Sequence, residues 1–280
     1  MRELTLDLPH ARLGAIAWGD RSLPPLLALH GWLDNAATHT AIAPLLSEHF
    51  HVVAIDMPGH GRSAHVPFYH FVDGVFDVLA AADALGWQTF DLLGHSRGGG
   101  IASLTAAACP ARIRRLVLIE ALGAMAAPPD HSLAQLRRGT TQFQEISEKP
   151  LRVFATPEEA IVARMKTGGL SLASAEAIVL RGIKPVSGGY SWSSDPRLTI
   201  ASPQRFTEAQ ILDVVQGIEA PTLLIMAPDS QVKPIDAATL AARVALVRSI
   251  EVRELSGGHH LHLENPQPVA QAILDFLRAD

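Results

Sequence analysis

The sequence predicts an α/β protein built on a mostly parallel β-sheet, and two observations support this prediction. Short apolar runs alternate with helical patterns through residues 1–123 and again after residue 204, which is typical of parallel βαβ units. Several of these runs are apolar throughout, as expected for strands buried on both faces. The chain has 280 residues, 48% of them hydrophobic, which is enough for one large core.

The individual elements follow from local periodicity. Alternating apolar and polar residues predict an opening hairpin at 3–8 and 12–18. Further strands are expected at the apolar runs 26–30, 51–56, 90–94, 115–120, 222–226 and 249–255. Helices are expected at 37–48, 70–85, 97–109 and 236–244, and from about 267 to the end. Strands and helices at this spacing require right-handed crossovers between parallel strands.

The stretch 124–203 interrupts this order, because it contains no convincing apolar strand. Its helical patterns cover 132–148, 157–167 and 173–182. We therefore expect a core made of residues 1–123 and 204–280, with residues 124–203 as a helical insertion over one edge of the sheet. The many Arg and Glu residues of 137–166 argue against a large exposed apolar face on this insertion.

Composition disfavours several classes of protein. The formal charge is −5 without a basic block, which argues against nucleic acid as a partner. No apolar run approaches the length of about 18 residues needed for a membrane span. The single Cys109 excludes a disulfide framework and a cysteine-rich zinc site. Glu3 and Asp7 interrupt the N-terminus where a signal peptide is apolar, so we expect a soluble, cytoplasmic protein.

The motif Gly94-His95-Ser96-Arg97-Gly98 is a G-x-S-x-G with a predicted strand before it and a predicted helix after it. A sharp turn in this context lifts the serine Oγ out of the sheet edge, and its flanking positions tolerate little except glycine. We predict Ser96 as a nucleophile. The strand and helix around it disfavour the alternative, a plain turn with an exposed serine.

A serine nucleophile needs a base within hydrogen-bonding reach, and 13 histidines compete for this role. Three of them lie in 257–266, after the last predicted strand, at the sheet edge that also carries Ser96. His259 directly follows a Gly-Gly pair and is the predicted base. His260 and His262 are expected to pack or to cap the next helix. These histidines have no carboxylate at metalloprotease spacing, so no metal is expected.

The tetrahedral intermediate of acyl transfer needs hydrogen-bond donors for its oxyanion. The backbone N–H of Arg97 is one candidate, and the N–H of Trp32, in the loop after the third strand, is the other. The Trp32 indole either lines the acyl pocket or covers the sheet edge. His95 points away from the serine by strand alternation and is expected to be a structural hydrogen-bond donor.

Taken together, these motifs resemble the α/β-hydrolase superfamily over nearly the whole chain. The resemblance rests on His30-Gly-Trp32, Asp56-Met-Pro-Gly-His-Gly-Arg-Ser63, Gly94-His-Ser-Arg-Gly98, and Gly257-Gly-His259 followed by Glu264 and Pro266. Within the superfamily, 30–36 and the His-His-Leu-His ending look like the serine hydrolase-like (kraken-type) group. The resemblance implies an eight-stranded sheet with an antiparallel second strand and a helical lid after strand six. It also implies Ser96 as nucleophile, His259 as base, and structural roles for Asp56 and His60.

The acid of the triad departs from the common pattern of the superfamily. Many relatives carry it in a Gly-x-x-Asp after strand seven, with a proline four residues later. Here 227–230, with Pro234 behind it, puts Asp229 one residue away from that position. Other relatives, haloalkane dehalogenases among them, carry the acid after strand six, where Glu120 lies. Either carboxylate could hold His259, and we prefer Glu120, because unpaired it would be a costly buried charge.

The side chain of Arg97 also departs from the usual apolar residue at its position. We favour an ion pair with Glu120 or another acidic neighbour over a clamp for a substrate carboxylate, for which the guanidinium fork is also suited.

The expected function is a serine hydrolase that cleaves a small or medium ester, thioester or lactone through an acyl-enzyme, without a cofactor. The alternatives are a C–C bond hydrolase or lyase on the same fold and a catalytically weak ligand-binding protein.

Overall fold

The computed structural model describes residues 1–146, 152–232 and 235–279. Its strands are β1 (Arg2–Asp7), β2 (Arg12–Trp18), β3 (Pro25–Leu29), β4 (His51–Ile55), β5 (Phe90–His95), β6 (Ile113–Ile119), β7 (Ile183–Val186), β8 (Gly189–Trp192), β9 (Thr222–Met226) and β10 (Ile250–Glu254). Eight of them form one sheet in the order β1-β2-β4-β3-β5-β6-β9-β10. Only β2 runs antiparallel to its neighbours. The predicted mostly parallel eight-stranded α/β fold is confirmed.

The central strands are buried on both faces of the sheet. Every residue of β4 and β5 is buried, and successive side chains alternate between two hydrophobic cores. Leu27 and Val53 belong to one core, whereas Leu26 and Val52 belong to the other. This double burial is the physical reason that these strands are apolar at nearly every position.

Helices cover both faces of the sheet. They are α1 (Ala43–Leu46), α2 (Asp73–Ala84), α3 (Arg97–Ala108), α4 (Ser132–Glu145), α5 (Pro157–Gly168), α6 (Leu172–Gly182), α7 (Glu208–Gln216), α8 (Ala237–Val244), α9 (Leu261–Glu264) and α10 (Pro266–Leu277). Within the described ranges, none of these helices combines the length and the apolar character needed to cross a bilayer.

Two stretches of the core differ from the sequence prediction. The helix expected at 37–48 is broken into a 3₁₀ turn at Ala36–His39 and the single turn of α1, because Pro44 starts a new helical segment. Helix α7 was not predicted, although Thr207 and Gln210 form a capping box at its start.

In the interrupting stretch, the predicted helix 132–148 ends at Glu145, and positions 147–148 lie outside the described residues.

The interrupting stretch 124–203 lies between β6 and β9 and holds α4, α5 and α6 as predicted. The stretch is not wholly helical, however, because β7 and β8 pair as an antiparallel hairpin. Their residues are mostly half-exposed and include Pro185, so no apolar run marks them. Ser187 and Gly188 form the two-residue turn that joins them, and Gly188 has the positive φ that such a turn requires.

Helix α4 exposes an apolar stripe. Gly139 is its only buried residue among those described, whereas Leu133, Leu136 and Phe143 are exposed. Three side chains do not by themselves make a large apolar face, so the expectation that the insertion exposes no such face stays a prediction. The spacing of three, seven and ten residues puts these side chains on one side of α4, which the charge count along the sequence does not reveal.

A buried carboxylate ties the inserted stretch to the sheet. Asp56, which follows β4 and is 0% exposed, accepts bonds from Arg181 Nε of α6 at 3.0 Å to each oxygen. Arg181 also donates to Glu3 of β1 at 2.8 Å. The backbone N–H groups of Ala36 and Arg62 complete the surroundings of Asp56. This arrangement agrees with the structural role that the resemblance implies for Asp56.

Removing the Arg181 guanidinium leaves Asp56 as an uncompensated buried charge. We expect Arg181→Met to lower the free energy of unfolding by about 3–5 kcal/mol, measured by urea denaturation. The control is Arg253→Met, which removes a partly exposed ion pair with Glu251 and should cost less than about 1 kcal/mol. Equal losses in the two variants contradict the anchoring role of Arg181.

Candidate active site

The turn between β5 and α3 has the sharp geometry that the sequence predicts. Ser96 sits at φ 52° and ψ −117° between the strand and the helix. A Cβ added at Gly94 would lie 2.5 Å from the carbonyl oxygen of Gly98, and one added at Gly98 would lie 2.6 Å from that of His30. Both contacts are too short for any side chain, so glycine is required at both positions.

Three predicted residues form one hydrogen-bonded chain at the carboxyl edge of the sheet. Ser96 Oγ lies 2.9 Å from His259 Nε2, and His259 Nδ1 lies 3.2 Å from Glu120 Oε2. The other oxygen of Glu120 accepts the backbone N–H of Ala227 at 2.6 Å. With Glu120 accepting from Nδ1–H, the ring tautomer leaves Nε2 free to accept the Ser96 hydroxyl proton.

Asp229 takes no part in this chain. It is exposed in the turn after β9, and among the described contacts its only hydrogen bond there is made by its carbonyl oxygen, with Gln231. Pro234, the proline of the common pattern, lies outside the described residues. The geometry therefore favours Glu120 over Asp229 as the partner of His259, and the assignment of the acid stays a prediction.

Strained backbone is concentrated at this edge of the sheet. Among the described residues, Leu33, Ser96 and Glu120 are the non-glycine residues with positive φ, at 56°, 52° and 59°. They follow β3, β5 and β6, three adjacent strands. Each such conformation costs about 1–3 kcal/mol and clusters at functional sites, so the strain marks the same edge as the hydrogen-bonded chain.

The two predicted oxyanion donors are available. Arg97 is the first residue of α3, so its N–H has no acceptor within the helix. The N–H of Trp32 has no protein acceptor among the described backbone bonds. The Trp32 indole, 53% exposed, donates to the carbonyl oxygen of Leu198 at 2.9 Å, so it bridges from the sheet edge to the inserted stretch. The oxyanion role of both amides stays a prediction.

His30 fixes the loop that carries Trp32. Its Nδ1–H donates to the carbonyl oxygen of Gly31 at 2.7 Å, and its Nε2 accepts the N–H of Met57 at 2.9 Å. The ring is thus neutral and joins the loops after β3 and β4. Burial lowers the pKa of His30 to about 4, which keeps this arrangement intact at neutral pH.

Buried groups beneath the site hold the loop of the base. His95, 0% exposed, donates from Nε2 to the carbonyl oxygen of His259 at 2.8 Å. His95 is therefore a hydrogen-bond donor as expected, but the sequence did not reveal that its acceptor is the backbone carbonyl oxygen of the base residue, His259. His260 donates to Asp34 at 2.9 Å, and Arg164 of α5 binds the other oxygen of Asp34.

His260 and His262 pack rather than cap. His260 precedes α9, but its side chain makes no capping bond because Asp34 accepts it. His262 is fully buried and lies 3.0 Å from Thr38 Oγ1. Asp34 lies in the 30–36 motif that carries the family resemblance, but no pattern in the sequence marks it as the partner of His260.

Asp34, His95 and His260 bring one ligand atom each to within 4.8 Å of the others, as a metal site would. However, His260 and Arg164 already occupy both oxygens of Asp34. Burial alone would raise the pKa of Asp34, but the His260 hydrogen bond and the Arg164 charge hold it well below its usual value. These three residues are therefore better described as a hydrogen-bonded structural cluster than as a binding site for a metal cation.

The Arg97 side chain does not make the expected ion pair. Among the described residues, no carboxylate pairs with it. Glu120 turns toward His259, and Asp77 is taken by His10 at 2.7 Å. The guanidinium lies over the ring of Phe71, 5.5 Å from its centroid. The partners of Glu120 and Asp77 are distant in sequence, so the sequence could not show that both carboxylates are engaged elsewhere.

Comparisons with known proteins agree with this fold. A family model described as alpha/beta hydrolase fold matches residues 24–266. A serine hydrolase-like protein from Danio rerio is 31% identical over 99% of this chain and 88% of its own length. The structure of a hypothetical protein from Pseudomonas aeruginosa PAO1 is 37% identical, with a TM-score of 0.94 over 100% of both chains. The thioesterase domain from the curacin biosynthetic pathway is 26% identical, with a TM-score of 0.86 over 98% of this chain and 99% of that one.

Neutral buried histidines predict a loss of stability in acid. Burial lowers the pKa of His39 to about 4 and that of His60 to about 3, as it does for His30. Between pH 6.5 and about 4 the unfolded chain therefore binds protons that the folded chain does not, so stability falls as the pH falls.

We expect the urea midpoint to decrease steadily from pH 7 to pH 4.5. Each such histidine contributes a slope of up to about 1.4 kcal/mol per pH unit. The exposed His131 provides the control, because His131→Gln should leave the slope unchanged. A midpoint that stays flat between pH 7 and pH 5 contradicts the neutral state of the buried rings.

Proposed function

We propose that this chain, which belongs to the α/β-hydrolase family and to its serine hydrolase-like group, is a serine hydrolase that cleaves an ester, thioester or lactone. The observation that carries this proposal is the chain of hydrogen bonds from Ser96 through His259 to Glu120. The similarity to the thioesterase domain from the curacin pathway supports an acyl substrate.

In the proposed acylation step, Ser96 Oγ attacks the acyl carbon and its proton passes to His259 Nε2. The carbonyl oxygen becomes an oxyanion, which accepts bonds from the N–H groups of Trp32 and Arg97. Collapse of this intermediate expels the alcohol or thiol, which takes the proton from His259. Glu120 stabilises the imidazolium and holds its tautomer throughout.

In the proposed deacylation step, water replaces the leaving group. His259 accepts a proton from the water as its oxygen attacks the acyl-enzyme, and the same oxyanion donors act again. The proton then returns to Ser96 Oγ, and the carboxylic acid leaves. His95 acts as a positioning residue here, because its bond to the carbonyl oxygen of His259 fixes the base without touching the substrate.

We also propose residues 124–203 as a lid on a core of 1–123 and 204–280. Two contacts support this division, because each joins the inserted stretch to the site edge. Trp32 donates to Leu198, and Arg164 binds Asp34 beneath the base. A lid tied at these points favours a small or medium acyl group over an interfacial lipid.

A catalytically weak ligand-binding protein is the alternative that an absent acid would favour. Because Glu120 contacts His259, a carboxylate is in place to serve as the acid, and an active hydrolase is the better proposal. A fluorophosphonate probe tests the choice directly. We expect it to label the wild-type protein and to spare Ser96→Ala, whereas binding of the probe without covalent labelling of Ser96 supports the weak binding protein.

The identity of the acid has its own test. We expect Glu120→Gln to lower kcat about 10³–10⁴-fold, because the amide supports the wrong imidazole tautomer, and Asp229→Asn to leave kcat within about twofold. The measurement uses 4-nitrophenyl esters of graded chain length, with thioesters and lactones alongside. The opposite pattern in these two variants makes Asp229 the acid.

A further inference from the structure

A cavity of about 320 Å³ has Arg97, the residue after Ser96, in its wall. Apolar and aromatic side chains form most of its wall, and Arg97 reaches it from the first turn of α3. Besides Tyr69, the polar residues of the wall are Arg97, two carboxylates, Asp73 and Asp77, and two histidines, His10 and His70. A mostly apolar cavity of this size with a few polar groups has the composition of a small-molecule site.

The guanidinium of Arg97 has no anionic partner in the described part of the protein. It stacks on Phe71, which shields one of its faces, and burial lowers its pKa from the ordinary value, with Asp77 acting in the opposite direction. A half-buried cation without a counter-ion is costly. An anion in the cavity therefore recovers free energy that the protein alone leaves unsatisfied.

The two carboxylates of the wall are already engaged. Asp77 binds His10 at 2.7 Å, and Asp73 accepts the backbone N–H of His70 at 3.3 Å. They leave the guanidinium unpaired, yet their negative charge lies in the same wall. This charge opposes every anion, and a second negative charge on the ligand would add repulsion without a second cation to bind it. A ligand with one carboxylate, bonded directly to the Arg97 guanidinium, is therefore favoured over one with two.

We propose that Arg97 binds a free carboxylate of the substrate, so that the natural substrate is an ester or thioester that also carries a carboxylic acid. This proposal rests on the proposed function and narrows it. The planar fork of arginine accommodates a carboxylate with two parallel hydrogen bonds. Its backbone N–H is at the same time a proposed oxyanion donor, so the carboxylate lies within one arginine side chain of the reacting carbonyl group.

Matched ester pairs test the proposal. On the acyl side, the anionic 4-nitrophenyl hemisuccinate is compared with the neutral 4-nitrophenyl butyrate. On the leaving-group side, 4-carboxyphenyl butyrate is compared with phenyl butyrate. The measured quantity is the ratio of kcat/KM for the anionic ester to that for the neutral one. The ratio removes any change in absolute rate that a substitution beside the oxyanion donor causes.

We expect the wild-type ratio in at least one pair to fall about 10- to 100-fold in Arg97→Met, the range typical of a lost charged hydrogen bond. Arg97→Lys should recover part of it, because it keeps the charge without the fork. The exposed Arg62 serves as matched control, and Arg62→Met should leave the ratio unchanged. If Arg97→Met alters the ratio in neither pair, the carboxylate site is wrong.

Binding without turnover separates this proposal from the function on which it rests. Ser96→Ala is titrated calorimetrically with monomethyl succinate, which carries one carboxylate, and with neutral dimethyl succinate. We expect the anion to bind more tightly, and the preference to disappear in Ser96→Ala/Arg97→Met. If no ester is hydrolysed but this preference holds, the hydrolase proposal fails while the carboxylate site stands. If neutral esters are hydrolysed but the anionic ester binds no more tightly than the neutral one, the hydrolase proposal stands and the carboxylate site fails.

Discussion

The constraint on which the rest of the site depends is the close approach of the first turn of α3 to the backbone of β3. A Cβ at Gly98 would lie 2.6 Å from the carbonyl oxygen of His30. The helix can therefore start this close to β3 only because residue 98 is glycine. The chain can enter so short a turn only if Ser96 adopts a positive φ. The same contact brings the amide of Arg97 next to the loop of Trp32. One backbone contact thus sets both the nucleophile and the two proposed oxyanion donors.

The base depends on a second layer of buried polar groups. His259 lies on a loop after the last strand, and such loops are usually mobile. Here the His95 ring beneath the loop binds its backbone, and desolvation, reinforced by the neighbouring histidines, keeps the pKa of His95 well below its usual value. The neutral ring keeps Nε2–H as the donor toward the His259 carbonyl oxygen. Asp34 also links His260, the residue after the base, to Arg164, so hydrogen bonds tie the inserted stretch to the loop that carries the base.

The two charged groups nearest the nucleophile differ in a way that organises the chemistry. Glu120 is 1% exposed, and both of its oxygens are bonded, so its charge is confined to the task of holding the imidazole. Arg97, the first residue of α3, instead lies over Phe71 and lines a cavity. Glu120 thus has hydrogen-bond partners for both oxygens, whereas the Arg97 guanidinium has no carboxylate partner among the described residues. This difference favours a substrate that carries a negative charge of its own.

Local sequence features suffice to predict the eight strands of the main sheet, the elbow at Ser96 and the candidate base His259. The uniform apolar run at 222–226, for example, coincides with β9. By contrast, which carboxylate reaches His259, what His95 binds and what Arg97 faces follow from contacts across the fold. These outcomes join residues more than 100 positions apart, such as Glu120 and His259, and depend on side-chain directions that periodicity does not encode. The same reason hid the hairpin of β7 and β8, whose strands pair with each other rather than burying an apolar face.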